Sequence, residues 1–250
     1  MHESDHGDER IDKHLKVYQF KPVLRKLFGD IHRLLMSKDK KWFVDTPGCR
    51  IELGAGVAPM RDSFPDVEAT DVVPAAHLDR VIDAQNIRVA PGSVRSLFLQ
   101  NAFHHLPDPE SFFRSAQIAL APGGGIIMVE PYWGLLASVV YPRLFKEEGF
   151  DKRQKSWNTL MRGPINGANQ ALSFIIFERD KKIFESKFPD LKIIDTGIFP
   201  NYPRYLASGG LNFPQLLPDR AFEFLERIEG VSSLAARVLG LHHWIVIRKS

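Results

Sequence analysis

The spacing of apolar residues changes along this chain, and each change predicts a different kind of element. Over residues 11–43, Leu15, Tyr18, Val23, Leu27, Ile31, Leu34 and Leu35 recur at roughly helical intervals, the mark of an amphipathic helical segment. Pro22 divides the segment, since proline fits best in the first turn of a new helix. Lys21, Arg25, Lys26 and Arg33 fall on the other face. The expected role of this helix pair is packing on the core; a lid over a ligand cleft, or a lightly basic surface facing a phosphate-bearing substrate, is the alternative. From residue 49 to residue 132 the period shortens. Short apolar runs at 51–53, 67–70, 81–82, 96–100 and 126–129 alternate with turn residues and with a helical pattern after Pro109 that carries Phe112, Phe113, Ala116 and Leu120. Strands alternating with helices predict a parallel sheet covered on both faces, with ligands at the carboxyl ends of its strands.

The second half is patterned less regularly. Residues 134–145 are apolar but too few to span a bilayer, so burial beneath a cap is expected, with peripheral membrane contact as the other use. Residues 146–157 read as a charged surface turn. Strands are expected at 191–198 and 244–248, pairing antiparallel at a sheet edge. Between them lies a long insert, 199–241, with a helix at 220–229 and with Gly209 and Gly210 in an aromatic loop. The first ten residues are polar and read as a solvated tail; His2 and His6 give it at most weak metal affinity.

Composition narrows the classes. With 250 residues, 44% of them hydrophobic, a sizeable core is feasible, as one large domain or as a core with elaborations. A net charge of +3, without a compact basic patch interleaved with aromatics, argues against nucleic acid as a partner. The single cysteine, Cys49, excludes an internal disulfide and a cysteine-built metal site, and it is expected to pack at the start of a strand. Neither a signal peptide nor a membrane span of about eighteen apolar residues is present in the sequence, so a cytoplasmic location is expected.

The chemistry concentrates in residues 49–71, CRIELGAGVAPMRDSFPDVEATD. This reads as strand, glycine turn, helix, strand, acid. Gly54 and Gly56 let the backbone turn tightly and approach a ligand, the helix to follow would direct free N–H groups at the same place, and Asp71 ends the second strand where a carboxylate can accept bonds from ribose hydroxyls. A dinucleotide site wants G-x-G-x-x-G/A, and Pro59 occupies its last position. The pattern acid-x-G-x-G-x-G fits better, filled by Glu52, Gly54, Gly56 and Ala58.

That pattern resembles the first motif of the class I S-adenosylmethionine-dependent methyltransferases. Further on, Asp83-Ala84, then SLFLQNAFHHLPDP, then ALAPGGGIIMVEP are similar to the small-molecule enzymes called type 11, related to the ubiquinone-biosynthesis methyltransferases. The resemblance spans about residues 49–132. It implies an α/β, Rossmann-like sheet, mostly parallel with an antiparallel edge strand and helices on both faces. The N-terminal helices (1–45) and a C-terminal insert would cap a methyltransferase domain (46–250), with cap insertions at about 133–180 and 199–241. It implies S-adenosylmethionine as cofactor and S-adenosylhomocysteine as product. Carried over by position, Glu52, Gly54, Ala55 and Gly56 line the methionine part, and Asp71 holds the ribose with Val72 beside the adenine. Asp83 and Ala84 face the adenine, and Asn101 and Ala102 meet the methionine end.

His104 and His105 follow in the next loop. Neutral imidazole is a natural base near pH 7, so both are candidate catalytic residues, with loop shaping as their other role. Glu130 and Tyr132 are placed to touch substrate. His242 and His243 start the last strand and are expected to be structural. No carboxylate cluster suggests a magnesium site, so no metal is expected. The acceptor is expected to be a small molecule, a sugar or a lipid-linked group, methylated at oxygen, in a pocket formed by the N-terminal helices, the run after Tyr132 and the loop at 202–217. Tyr132, Trp133, Phe199, Tyr202, Tyr205 and Phe213 are its candidate aromatics. The rival readings are a nucleotide-binding module without turnover and an NAD-dependent oxidoreductase.

Overall fold

The computed structural model describes residues 5–146, 148–159, 168–231 and 233–250. Two helices come first, α1 (Asp5–Phe20) and α2 (Pro22–Trp42), with Pro22 at the start of the second. Part of the tail expected over residues 1–10 is helical instead. Residues 5–10 belong to α1, because an established helix extends at the gain of one backbone bond per added residue; residues 1–4 lie outside the described residues. One stripe of α2, including Ile31, Leu35 and Met36, packs on a sheet face made of Phe98, Ile127, Val129 and Val246. Asp39 sits on the same stripe, fully buried. Its carboxylate accepts from Arg50 Nη2 at 3.0 Å, from Arg95 Nη2 at 2.9 Å and from Ser96 Oγ, which ties α2 to the sheet beneath it.

The sheet has seven strands: β1 (Cys49–Leu53), β2 (Val67–Asp71), β3 (Arg80–Val81), β4 (Val94–Gln100), β5 (Leu120–Pro131), β6 (Leu191–Phe199) and β7 (His242–Lys249). Their order is β3-β2-β1-β4-β5-β7-β6. Strands β1 to β5 are mutually parallel, and β7 runs antiparallel to both of its neighbours, so the reversed strand lies one place in from the edge. The chain steps outward from β1 on both sides, to β2 and to β4. A crevice opens at such a switch point, beyond the strands' carboxyl ends.

β5 is longer than its apolar run, because Pro122 and the three glycines continue the extended chain. A Cβ at Gly125 would lie 2.1 Å from the carbonyl oxygen of Ile247, so only glycine lets β7 approach there. Cys49, expected to pack, is exposed, since burial along β1 begins only at Ile51. The larger core covers the other sheet face, where Leu97, Leu99, Ile126 and Met128 meet Phe112 and Phe113 of α3 (Pro109–Ala119). Asp108 caps that helix, accepting from Glu110 N and Ser111 N at 3.1 Å each, and Pro109 occupies the first turn, where its missing N–H costs nothing.

The remaining α- and π-helical elements of the described residues are α4 (Leu135–Leu144), the short α5 (Leu172–Phe174), a π turn at Ile175–Arg179, α6 (Lys181–Lys187), α7 (Tyr202–Ser208), α8 (Arg220–Val231) and α9 (Ser233–Leu239). The apolar run expected to be buried forms α4 with one face in and one out: Ala137, Val140 and Tyr141 are buried, Leu135 and Val139 exposed. Among the described residues no helix is long and apolar enough to cross a membrane. Part of the cap insertion expected over 133–180 lies outside the described residues.

Candidate active site

The cavity starts where β1 ends. The chain turns through Gly54 (φ +73°) and Gly56 (φ +54°), both in the left-handed region that favours glycine. A Cβ on Gly54 would lie 2.7 Å from that of Ala102, so the turn after β1 and the loop after β4 press against each other. The helix expected next is absent. A single 3-10 turn, Met60–Asp62, stands in its place, because Pro59 and Pro65 leave too short a run between them for more. Free helix N–H groups therefore do not point at the turn, and two carboxylates organise it instead. Glu52 is buried and accepts from Met60 N at 2.7 Å. Asp71 accepts from Gly56 N at 3.0 Å and from Val73 N at 3.2 Å. His77, which no motif singled out, places Nε2 2.6 Å from the Gly56 carbonyl oxygen. Burial pushes the pKa of Glu52 up to about 8, with Asp62 and Asp71 adding to the rise against the Met60 hydrogen bond.

After β4 the backbone enters the left-handed region at Asn101 (φ +51°), the single non-glycine residue there among the described residues. Asparagine tolerates this conformation better than most residues, and its occurrence marks a constrained site. Its N–H donates to Val129 O at 2.8 Å, while its side-chain Oδ1 is buried with no hydrogen-bond partner. Glu130, at the end of β5, gathers the loop that follows. It accepts from Ala102 N at 3.0 Å, Phe103 N at 2.9 Å and His104 N at 3.3 Å, and it pairs with His104 Nδ1 at 2.6 Å. Both oxygens of Glu130 are thus spent within the protein. It positions the loop and does not itself line the cavity.

His104 Nε2 faces Glu148 Oε2 at 3.6 Å, and Gln170 Nε2 donates to the same oxygen at 2.7 Å. The ring of His105 lies 4.2 Å from that of His104, centre to centre. Burial works against a charge on His104, but Glu130 and Glu148 outweigh it and push its pKa up to about 9. His104 is therefore an imidazolium at neutral pH and a poor proton acceptor.

One cavity of about 560 Å³ unites these features. Its lining includes Glu52, Gly54, Ala55, Gly56, Asp71, Val72, Asp83, Ala84, Asn101 and Ala102, together with His104 and His105. The ten cofactor candidates and the two catalytic candidates thus meet in one place. Much of the rest of the wall comes from outside these motifs: Leu24 and Phe28 of α2, Tyr141, Phe145, Glu148, Gln170, Leu211 and His242 among them. Burial pushes the pKa of His242 down to about 3, which keeps it neutral. Of the six aromatics expected in an acceptor pocket, Tyr205 lines this cavity; Tyr132 and Trp133 line another, beside β6. The loop at 208–213 is pinned by Lys21, whose ammonium donates to the carbonyls of Ser208 at 3.0 Å, Gly210 at 2.7 Å and Phe213 at 2.6 Å. The N-terminal helix pair thus both packs on the core and borders the cavity.

No protein-family model matches the chain, and no curated protein matches its sequence. Solved structures do match. The partner of the Trm112 methyltransferase activator from Haloferax volcanii, itself described as a methyltransferase, aligns over 90% of this chain and 92% of its own, with a TM-score of 0.51 and 13% identity. The fold is thus that of the class I S-adenosylmethionine-dependent methyltransferases, with its seven strands and reversed β7. More distant in shape are geranyl diphosphate C-methyltransferase from Streptomyces coelicolor (TM-score 0.49, 13% identity, 90% of this chain and 78% of that one) and Haemonchus contortus phosphoethanolamine N-methyltransferase 2 (TM-score 0.43, 14%, 87% and 52%). This chain spans about half the length of the latter.

Proposed function

We propose that the cavity binds S-adenosylmethionine and directs its methyl group to an oxygen of a small-molecule, sugar or lipid-linked acceptor. The observation that carries this reading is the convergence of the ten cofactor-motif residues with a histidine–carboxylate cluster in one cavity. The residues also fit the cofactor chemically. The orphaned Oδ1 of Asn101 and the carboxylate of Glu52 are acceptors suited to an ammonium group. Glu52, Gly54, Ala55, Gly56, Asn101 and Ala102 would hold the methionine part, Asp71 the ribose, and Val72, Asp83 and Ala84 the adenine. When bound, the cofactor supplies a methyl on a positive sulfur: the acceptor oxygen forms a bond to that carbon as the C–S bond breaks, leaving its electron pair on sulfur and S-adenosylhomocysteine as product.

The chain's task is alignment, which contributes roughly 7–11 kcal/mol when the reacting atoms are held near attack distance. The acceptor's hydroxyl proton must also leave. His104 already carries a proton, so the task falls to His105 and Glu148, which border the cavity beside it. That proton-accepting pair is what favours oxygen over carbon, since a carbon acceptor needs a stabilised carbanion. Incubation with S-adenosylmethionine and fractionated acceptor extracts, followed by mass spectrometry, tests the proposal. A product heavier by one methylene, with the added group on oxygen by fragmentation, is the expected result. A methyl on nitrogen or carbon would overturn the oxygen assignment and keep the class.

A further inference from the structure

We propose that His104, His105 and Glu148 form a binding site for a divalent transition-metal ion of the zinc type, on the acceptor side of the cavity. Each residue offers one ligand atom, and these atoms all lie within 4.8 Å of one another; a bound ion would displace the proton that His104 Nε2 carries in the free protein. Around a bound zinc ion such atoms stand about 3.3 Å apart, from metal–ligand distances near 2.0–2.1 Å. The remaining gap is within the reach of side-chain rotation. Two imidazoles and one carboxylate are a donor set for zinc and its first-row neighbours, and three protein ligands leave a coordination position free for a further oxygen.

Two further features fit a metal site. The first is an outer layer of orienting hydrogen bonds. Glu130 holds Nδ1 of His104 at 2.6 Å, so the other ring nitrogen is the one turned toward Glu148, and Gln170 fixes Glu148 from behind at 2.7 Å. The second is an orphan. His104 Nε2 is buried without a hydrogen-bond partner, on a side chain only 3% exposed, and it is aimed into the cluster. The ligands come from the loop after β4 and from the turn after α4, and the cluster exists only when the cap is folded on the sheet. The absence of a metal expected from the sequence considered neighbouring carboxylates alone, and Glu148 lies far from the histidines along the chain.

The consequence for the reaction rests on the methyl-transfer reading above, whereas the metal site does not. An acceptor hydroxyl bound to the ion would be acidic enough to lose its proton to water, so the ion would do by polarisation what His105 and Glu148 otherwise do as bases.

Equilibrium dialysis of the purified full chain against Zn²⁺, with metal content measured by mass spectrometry, tests the site directly, and Co²⁺ substitution adds a visible absorption band as a second readout. We expect one equivalent per chain. It should persist when His2 and His6 are replaced by alanine, and it should weaken about 10- to 100-fold in Glu148→Gln and in His105→Ala. Zinc well below one equivalent, binding lost with His2 and His6, or unchanged binding in both cluster variants would each overturn the proposal. Calorimetry with S-adenosylhomocysteine on the same samples checks that the variants are folded and keeps the two readings apart. Cofactor binding without zinc sinks the metal site alone, and zinc binding without the cofactor sinks the methyltransferase reading alone.

Discussion

The two walls of the cavity are built in opposite ways. The wall around the glycine turn is local. Glu52, Gly54, Gly56 and Asp71 lie within a single βαβ-like passage, and their bonds join residues close in sequence, such as Gly56 N to Asp71 and Met60 N to Glu52. The facing wall is assembled from afar. His104 meets Glu130 and Glu148, Lys21 reaches the carbonyls at 208–213, and Tyr205 lies against His242 at 4.8 Å between ring centres. A local wall is specified by turn chemistry; a distant one depends on helices closing over the sheet. In the function proposed here the first wall holds the cofactor and the second selects the acceptor, so damage to each should read out differently.

The largest expected effect separates them. Replacing residues 207–213 with a short flexible linker removes the carbonyls that Lys21 grips and part of the cavity wall. Methyl transfer to extract acceptors should fall at least about 100-fold, the order of loss that misplacement by about 1 Å can cause. S-adenosylhomocysteine affinity should stay within about twofold. Full activity in that variant would show the loop to be structural only.

Next in size is Asp71→Ala, which should weaken S-adenosylhomocysteine by about 1–3 kcal/mol through lost bonds to a charged acceptor. Because Asp71 also holds Gly56 N and Val73 N, the same change should lower thermal stability, and unchanged affinity in calorimetry would move the ribose elsewhere. The two glycines sharpen the point. Gly54→Ala meets both a left-handed φ and the Ala102 side chain, and should cost about 1–3 kcal/mol of stability. Gly56→Ala has open space around its Cβ and only the backbone strain, about 1–2 kcal/mol. Equal denaturation midpoints for the two variants would contradict that contact.

The last effect is a pH dependence. Glu52 has a folded pKa raised to about 8 by burial, so in the free protein it is protonated at neutral pH. Its contribution to stability is present below its unfolded pKa and is lost as pH rises through about 8. A cofactor ammonium selects the ionised form, so affinity should rise with pH between 6 and 8, by up to about tenfold per unit. Glu52→Gln should flatten that slope; an unchanged slope would separate Glu52 from the ammonium.

The difference between the walls also decides what could be read in the sequence. Short apolar runs bounded by glycine and proline announced the strands, and the glycine turn with its acids announced one wall. The same reading placed a helix after the turn, where two prolines permit only a 3-10 turn, because local pattern does not reveal how few residues remain between breakers. His104 and His105 were visible as a pair. Their partners were not, since Glu130 and Glu148 become neighbours only through the sheet and the cap, and no spacing in the chain encodes that meeting. Cys49 failed for a simpler reason: a strand's first residue can lie beyond the covered part of the sheet.

Calorimetric titration of the purified chain with S-adenosylhomocysteine tests the central claim most directly. One equivalent should bind, S-adenosylmethionine should compete for the same site, and NAD should neither bind nor compete. Binding of NAD with no heat from either sulfur compound would contradict the account.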